Sequence, residues 1–282
     1  MSPALVIEHG GLLLELSVEP VEDIRLHEEV VPELLREMAS ALKEEGAQLD
    51  PVIVDGRTGV ALDGMHRIQA LKEIGAKRAL VCKVNYFDPH IRLRRWLRTY
   101  VGINTPLLED LKVKLNLTRT TVEDAMKRVD RGLSPVGLLA WGWGYYSMSK
   151  PRSVLHDLQY VRTFDSTAAD HGVRPALTED SGVEGVSARG FVLYARRPRK
   201  MDVIRAATMG APMPPKTTRH LVPARPVGIG YPLDWLTDEG ISGGEARERL
   251  RRLLEARRVK HLKPGTEYKG RVYEESLYLY EG

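Results

Sequence analysis

The segment from Pro51 to Gly75, PVIVDGRTGVALDGMHRIQALKEIG, restricts this chain more than any other. Pro51 to Leu62 reads as a strand, a turn through Asp55-Gly56 and a second strand. Asp63-Gly64-Met65-His66-Arg67 follows with no spacer. Ile68, Leu71 and Ile74 then recur at helical spacing until Gly75. A helix starting directly off a strand gathers unpaired N–H groups and positive dipole on one loop, where an anion can bind. Gly64 lets a phosphate approach the backbone, and His66 and Arg67 add donors. A plainer reading is equally open from the pattern alone: Asp63 caps the helix, and His66 and Arg67 are merely solvated.

The rest of the first hundred residues continues an α+β order. Two short strands flank His9-Gly10-Gly11, and Val31, Leu34, Leu35, Met38 and Leu42 mark an amphipathic helix that Gly46 stops. Residues 79–87 form another strand. Beyond residue 105 the spacing predicts a helix from Thr120 to Arg131, an aromatic, Gly-interleaved strand over 136–146 and a polar loop over 164–188. A strand at 190–196 and a helix near 200–209 come next. Pro212, Pro214 and Pro215 then force an extended approach to Lys216-Thr217-Thr218-Arg219-His220. A basic helix at 244–260 and a strand at 271–280 close the chain. The expected domains are therefore a first lobe over 1–100, a second α/β lobe over 101–238 and an extension over 239–282.

Composition removes several function classes. No run of 18 apolar residues exists, so neither a membrane span nor a secretory leader is expected. A single cysteine, Cys82, cannot close an internal disulfide, which fits a reducing cytoplasm. A net charge of +4 suits an anionic ligand, but 42 basic against 38 acidic residues is too even a balance for a nucleic-acid face. Scarce amides beside 28% charged residues fit a thermophilic source. There is no G-x-x-x-x-G-K-[ST] loop, and Gly142-Trp143-Gly144 lacks the setting of a dinucleotide fingerprint. The eight histidines show no zinc-ligand spacing.

The helix 31–45 followed by PVIVDGRTGVALDGMHRIQALKEIGA resembles, along its length, the nucleotide-binding module of the ParB/sulfiredoxin-like superfamily. Sulfiredoxin chemistry needs a thiolate where this chain has Met65. The likeness extends further to the archaeal free-serine kinases: LHEEVV at 26–31, YFD at 86–88 with Trp96 downstream, and PKTTRHLVP at 215–223. It is firm over about 20–100, good over 188–236 and poor over 101–187.

That resemblance implies a kinase moving a phosphoryl group from ADP or ATP to the hydroxyl of free L-serine. The product, O-phospho-L-serine, would feed cysteine synthesis. Glu28 would be the general base and Asp63 would position the base, a metal or the acceptor. Gly64, Met65, His66 and Arg67 would hold the donor phosphates, and Mg²⁺ is expected on phosphate oxygens with its protein ligands unknown. Trp96, Lys216, Thr218, Arg219 and His220 would border the serine, in a cleft between the lobes. Ordinary core for Trp96 and a structural salt bridge for Arg219 stay open. So do another acceptor such as threonine and a ParB-type nucleotide-dependent DNA-binding protein.

Overall fold

The computed structural model describes residues 2–179 and 190–282. Close packing divides the chain into two units. One comprises Met1–Arg92, Ala207–Pro212 and His220–Gly282, and the other Leu93–Ala206 and Met213–Arg219. These boundaries differ from the three expected ranges, because the chain from His220 onward clusters with the N-terminal segment.

The first unit opens with β1 (Leu5–His9), β2 (Leu12–Pro20), α1 (Pro32–Glu45) and β3 (Ala47–Gln48). It continues through β4 (Val52–Asp55), β5 (Ala61–Asp63), α2 (Met65–Ile74) and β6 (Arg78–Val84). The sheet order is β1-β2-β6-β4-β5. Only β4 and β6 run parallel, with Ile53 opposite Cys82, so the chain between them must cross over; β5 and α2 form that crossover. All four residues of β4 are buried, which explains its unbroken apolar run. Gly46 ends α1 in the left-handed conformation at φ 65°, as its place after the last apolar position predicts. Cys82 is buried, and that burial pushes its thiol up to about 12, out of reach of thiolate chemistry.

The second unit holds β7 (Arg92–Val101), α3 (Thr105–Lys114), β8 (Leu117–Thr120), α4 (Val122–Asp130), β9 (Val136–Ala140) and β10 (Trp143–Ser147). It continues with α5 (Val154–Asp170), β11 (Ala176–Glu179), β12 (Gly190–Ala195) and α6 (Lys200–Thr208). Its sheet runs β11-β7-β12-β9-β10-β8. The single aromatic strand expected over 136–146 is instead the β9–β10 hairpin, turning at exposed Trp141 and Gly142. This hairpin follows α4 directly, so the second helix of a DNA-binding helix-turn-helix does not occur there. The polar loop expected over 164–188 begins inside α5, and residues 180–188 of it lie outside the described residues.

The chain then returns to the first unit through β13 (Thr218–Leu221), β14 (Ala224–Val227), β15 (Tyr231–Pro232), α7 (Leu233–Thr237) and α8 (Gly243–Glu255). The last elements are β16 (Arg258–Leu262), β17 (Glu267–Tyr268), β18 (Arg271–Val272) and β19 (Ser276–Glu281). The basic helix is thus shorter than 244–260, and its end becomes β16. Ala246, Leu250 and Leu254 bury one face of α8, which packs on β2. Each buried leucine stabilises by roughly 1.5–3 kcal/mol. On the other face Glu245 pairs with Arg249, and Glu248 with Arg251 and Arg252. These arginines are a self-neutralised solvated face, not a patch for nucleic acid. Among the described residues no helix is long and apolar enough to cross a membrane.

Candidate active site

At the start of α2, Gly64 takes φ 92° and no side chain caps the helix. A Cβ at Gly64 would lie 3.0 Å from Val52 Cγ2 and 3.2 Å from Arg67 Nη1, so the backbone is open there only because the residue is glycine. Arg67 donates to Pro51 O at 3.3 Å, which anchors its guanidinium beside this turn. The capping role open to Asp63 in the sequence is not realised.

Residues 25–31 are laced along β5 and the first turn of α2. Arg25 bridges Val60 in parallel, and Ala61 N donates to Arg25 O. Two residues on, His27 Nδ1 donates to Ala61 O at 2.6 Å. Val31 N donates to His66 Nε2 at 3.0 Å, which places the proton of a neutral His66 on Nδ1. Glu28 lies between these fixed points and is 3% exposed, with His27 Nε2 3.8 Å from its Oε1. Burial holds the His27 imidazole below its usual value, so it stays neutral near pH 7. His220 meets His27 edge to face, ring centroids 5.2 Å apart, and its Nε2 shares a 2.8 Å hydrogen bond with the Tyr86 hydroxyl. Burial pushes that hydroxyl well up, so it remains protonated.

Asp63 is half exposed and forms a 2.5 Å ion pair with Arg225 of β14. Arg225 also pairs with Glu275 at 2.5 Å. The Arg225 charge and hydrogen bond, helped by Arg67 and Arg271, outweigh the partial burial and hold Asp63 well below the usual carboxylate range. A carboxylate so stabilised is a poor proton acceptor and a good fixed charge.

The second unit contains the other residues singled out in the sequence. Trp96 lies on β7, half-buried, and the Arg219 guanidinium stacks over its ring at 5.0 Å. Lys216 takes φ 55°, while Thr217 and Thr218 are buried. Arg219 and His220 are neighbours in sequence on either side of the boundary between the units, so the KTTRH stretch contributes side chains to both.

Sequence reasoning missed His27, Tyr86, Arg225 and Glu275, the partners of the residues it singled out in the first unit. His27 sits inside the LHEEVV stretch and Tyr86 inside YFD, so their signal was in motifs already noted. The partners of Arg225, at 63 and 275, are too distant in sequence for any spacing to show.

Fold and site define an α+β protein in which no side chain caps the helix that starts directly off β5, and in which the segment bonded to that helix carries a buried carboxylate, Glu28. The fold matches a free serine kinase solved in complex with AMP: TM-score 0.67, 21% identity, covering 78% of this chain and 93% of that one. In sequence the chain is 27% identical over 235 residues to an ATP-dependent L-serine kinase of Staphylothermus marinus, covering 78% of this chain and 92% of the relative. It is 23% identical over 227 residues to the ADP-dependent L-serine kinase SerK of Thermococcus kodakarensis, covering 77% and 90%. No family model matches the chain. The resemblance to free-serine kinases therefore extends beyond short motifs to most of the chain.

Proposed function

We propose that this protein is a kinase that transfers a phosphoryl group from ADP or ATP to the hydroxyl of free L-serine, giving O-phospho-L-serine. The observation that carries the reading is the lacing of residues 25–31, which include the buried Glu28, along β5 and the first turn of α2. Relatives with L-serine kinase names, similar over about four fifths of the chain, support it.

Phosphoryl transfer asks a protein mainly for alignment and charge neutralisation. The α2 N-terminus, with Gly64, Met65, His66 and Arg67, receives the donor phosphates, and Val31 N holds the His66 ring through Nε2. Glu28 takes the proton of the attacking hydroxyl. Asp63 acts through charge, orienting Arg225 and the neighbouring turn. Trp96, Lys216, Thr218, Arg219 and His220 are assigned to the acceptor and to the phosphate it receives. Among the described residues no group of three carboxylate, histidine or cysteine side chains could hold a metal ion. Mg²⁺ would arrive on the nucleotide phosphates and supply charge neutralisation there, with no set of protein ligands assigned to it. A cytoplasmic location, supported by the single cysteine, and a place before cysteine synthesis complete the reading.

The test is a panel of ADP, ATP and CTP against serine, threonine and inositol, followed by phosphorus NMR. Phosphoserine from an adenine nucleotide is expected, and Glu28→Gln should lower the rate by about 10²–10⁴ with folding unchanged. Threonine as the preferred acceptor would move the assignment to another small alcohol. No transfer at all, with steeply salt-dependent duplex binding in its place, would favour the DNA-binding alternative.

A further inference from the structure

Lys216 is one of three non-glycine residues with positive φ among the described residues, at 55°. For a side-chain-bearing residue such a conformation is strained and persists only where its surroundings impose it. The surroundings here are specific. Pro215 O, immediately before Lys216, accepts Arg98 Nη2 at 2.6 Å. Thr217 Oγ1, immediately after, donates to Pro214 O at 2.7 Å. Arg98 Nε donates to Asp165 Oδ2 at 2.9 Å, and the Tyr100 hydroxyl donates to Asp165 Oδ1. Arg98 is 6% exposed and Tyr100 is fully buried, its ring tilted against that of Phe164 with centroids 4.6 Å apart. The chain of contacts therefore runs from α5 through β7 to the turn, and all of it lies within the second unit.

A buried ion pair is a weak device for stability, since apolar residues of the same volume do as well or better. What it supplies is direction. With its Nε fixed on Asp165, the planar guanidinium of Arg98 has its Nη2 aimed at Pro215 O, and lysine has no such fork. Asp165 in turn is held from both oxygens.

We infer that Arg98, Asp165 and Tyr100 are positioning residues for the reaction, which hold the Lys216 turn in its strained conformation and so aim the Lys216 ammonium at the acceptor or the transferred phosphate. The inference rests on the role given to Lys216 above. None of the three is assigned to touch substrate; each acts through Lys216.

The experiment compares Arg98→Lys, Asp165→Asn and Tyr100→Phe, each alone and combined with Lys216→Ala, by initial rates of phosphoserine formation against serine and against nucleotide. Lys216→Ala should lower kcat/KM for serine. Asp165→Asn and Arg98→Lys should lower it by about tenfold to a hundredfold, leaving the nucleotide KM unchanged. On the Lys216→Ala background the same substitutions should cost nothing further, because the group they aim is gone. A merely structural role predicts equal losses on both backgrounds, and that result overturns the inference. If Lys216→Ala is damaging while Asp165→Asn and Arg98→Lys are silent, the inference fails and the role of Lys216 stands. A silent Lys216→Ala removes both. Should the charge-altering variants not fold, Tyr100→Phe removes a single hydroxyl and carries the same comparison.

Discussion

Asp63 shows how one residue can occupy the expected place and still have a chemistry the sequence did not give it. Placed directly before the helix, it invites the role of an N-cap, yet its carboxylate turns to Arg225, 162 positions away. That pairing has a pH consequence. The folded protein holds Asp63 below its ordinary value of 3.8, so the unfolded chain binds the proton more readily. The stability it contributes is therefore present above about pH 4 and is lost as the pH falls through the folded value. Asp63→Asn should lower the thermal midpoint near neutral pH, and the gap from wild type should narrow steadily as the pH falls from about 4 to about 2. A gap constant across that range would mean that the Arg225 pair contributes nothing to folding.

At the scale of elements, the decisive unit is the β5–α2 connection. Its legibility in the sequence was high, because each signal there is local: Asp55-Gly56 turns the hairpin, Ile68 and Leu71 set the helical face, and Gly64 and Gly75 bracket the helix. Gly64→Ala tests the geometry directly. The new Cβ would press on Val52 and the residue would have to hold φ 92°. The expected outcome is a loss of about 1–3 kcal/mol in urea denaturation, together with weaker nucleotide binding by calorimetry. Unchanged nucleotide affinity in a folded variant would remove the α2 turn from the proposed phosphate site. Elsewhere local signals were weak or misread. Strand β7 went unread, since Arg92, Arg94, Arg95 and Arg98 mask its alternation, although Arg95 is buried and stacks on Tyr194 at 4.0 Å. The helix α5 was legible in Leu158, Val161, Phe164 and Ala168 and in its Ser153 cap, but polar residues between them read as loop. The bonds that fix the segment around Glu28, His27 to Ala61 O and Val31 N to His66, span 34 and 35 positions, and no periodicity reports such pairings.

For the whole molecule, the question is what the last forty residues are for. Sequence alone set 239–282 apart as an extension, but the structure builds it into the first unit. β19 pairs in parallel with β14 and antiparallel with β16, so removing it leaves both without their sheet. The Tyr231 hydroxyl donates to Ala246 O, and His9 on β1 hydrogen-bonds the Tyr278 hydroxyl across 269 positions. Leu250 and Leu254 cover β2, and Leu277 and Tyr280 are buried. Glu275 meets the same Arg225 that pairs with Asp63, so the tail also reaches the proposed phosphate site. A chain ending at Glu239 would expose the outer face of β2 and the edge of β14 together, a flat apolar surface with unpaired backbone groups. The expected outcome is aggregation or loss of cooperative unfolding, seen by circular dichroism and size-exclusion chromatography, with no kinase activity in what remains soluble. A shorter cut after Lys269 keeps α8 but removes β19 and Glu275, and it should aggregate less while still failing to bind nucleotide normally. If the chain ending at Glu239 unfolds cooperatively near the wild-type midpoint and turns over serine, the tail is an appendage after all, and the Glu275–Arg225–Asp63 chain has no part in the site.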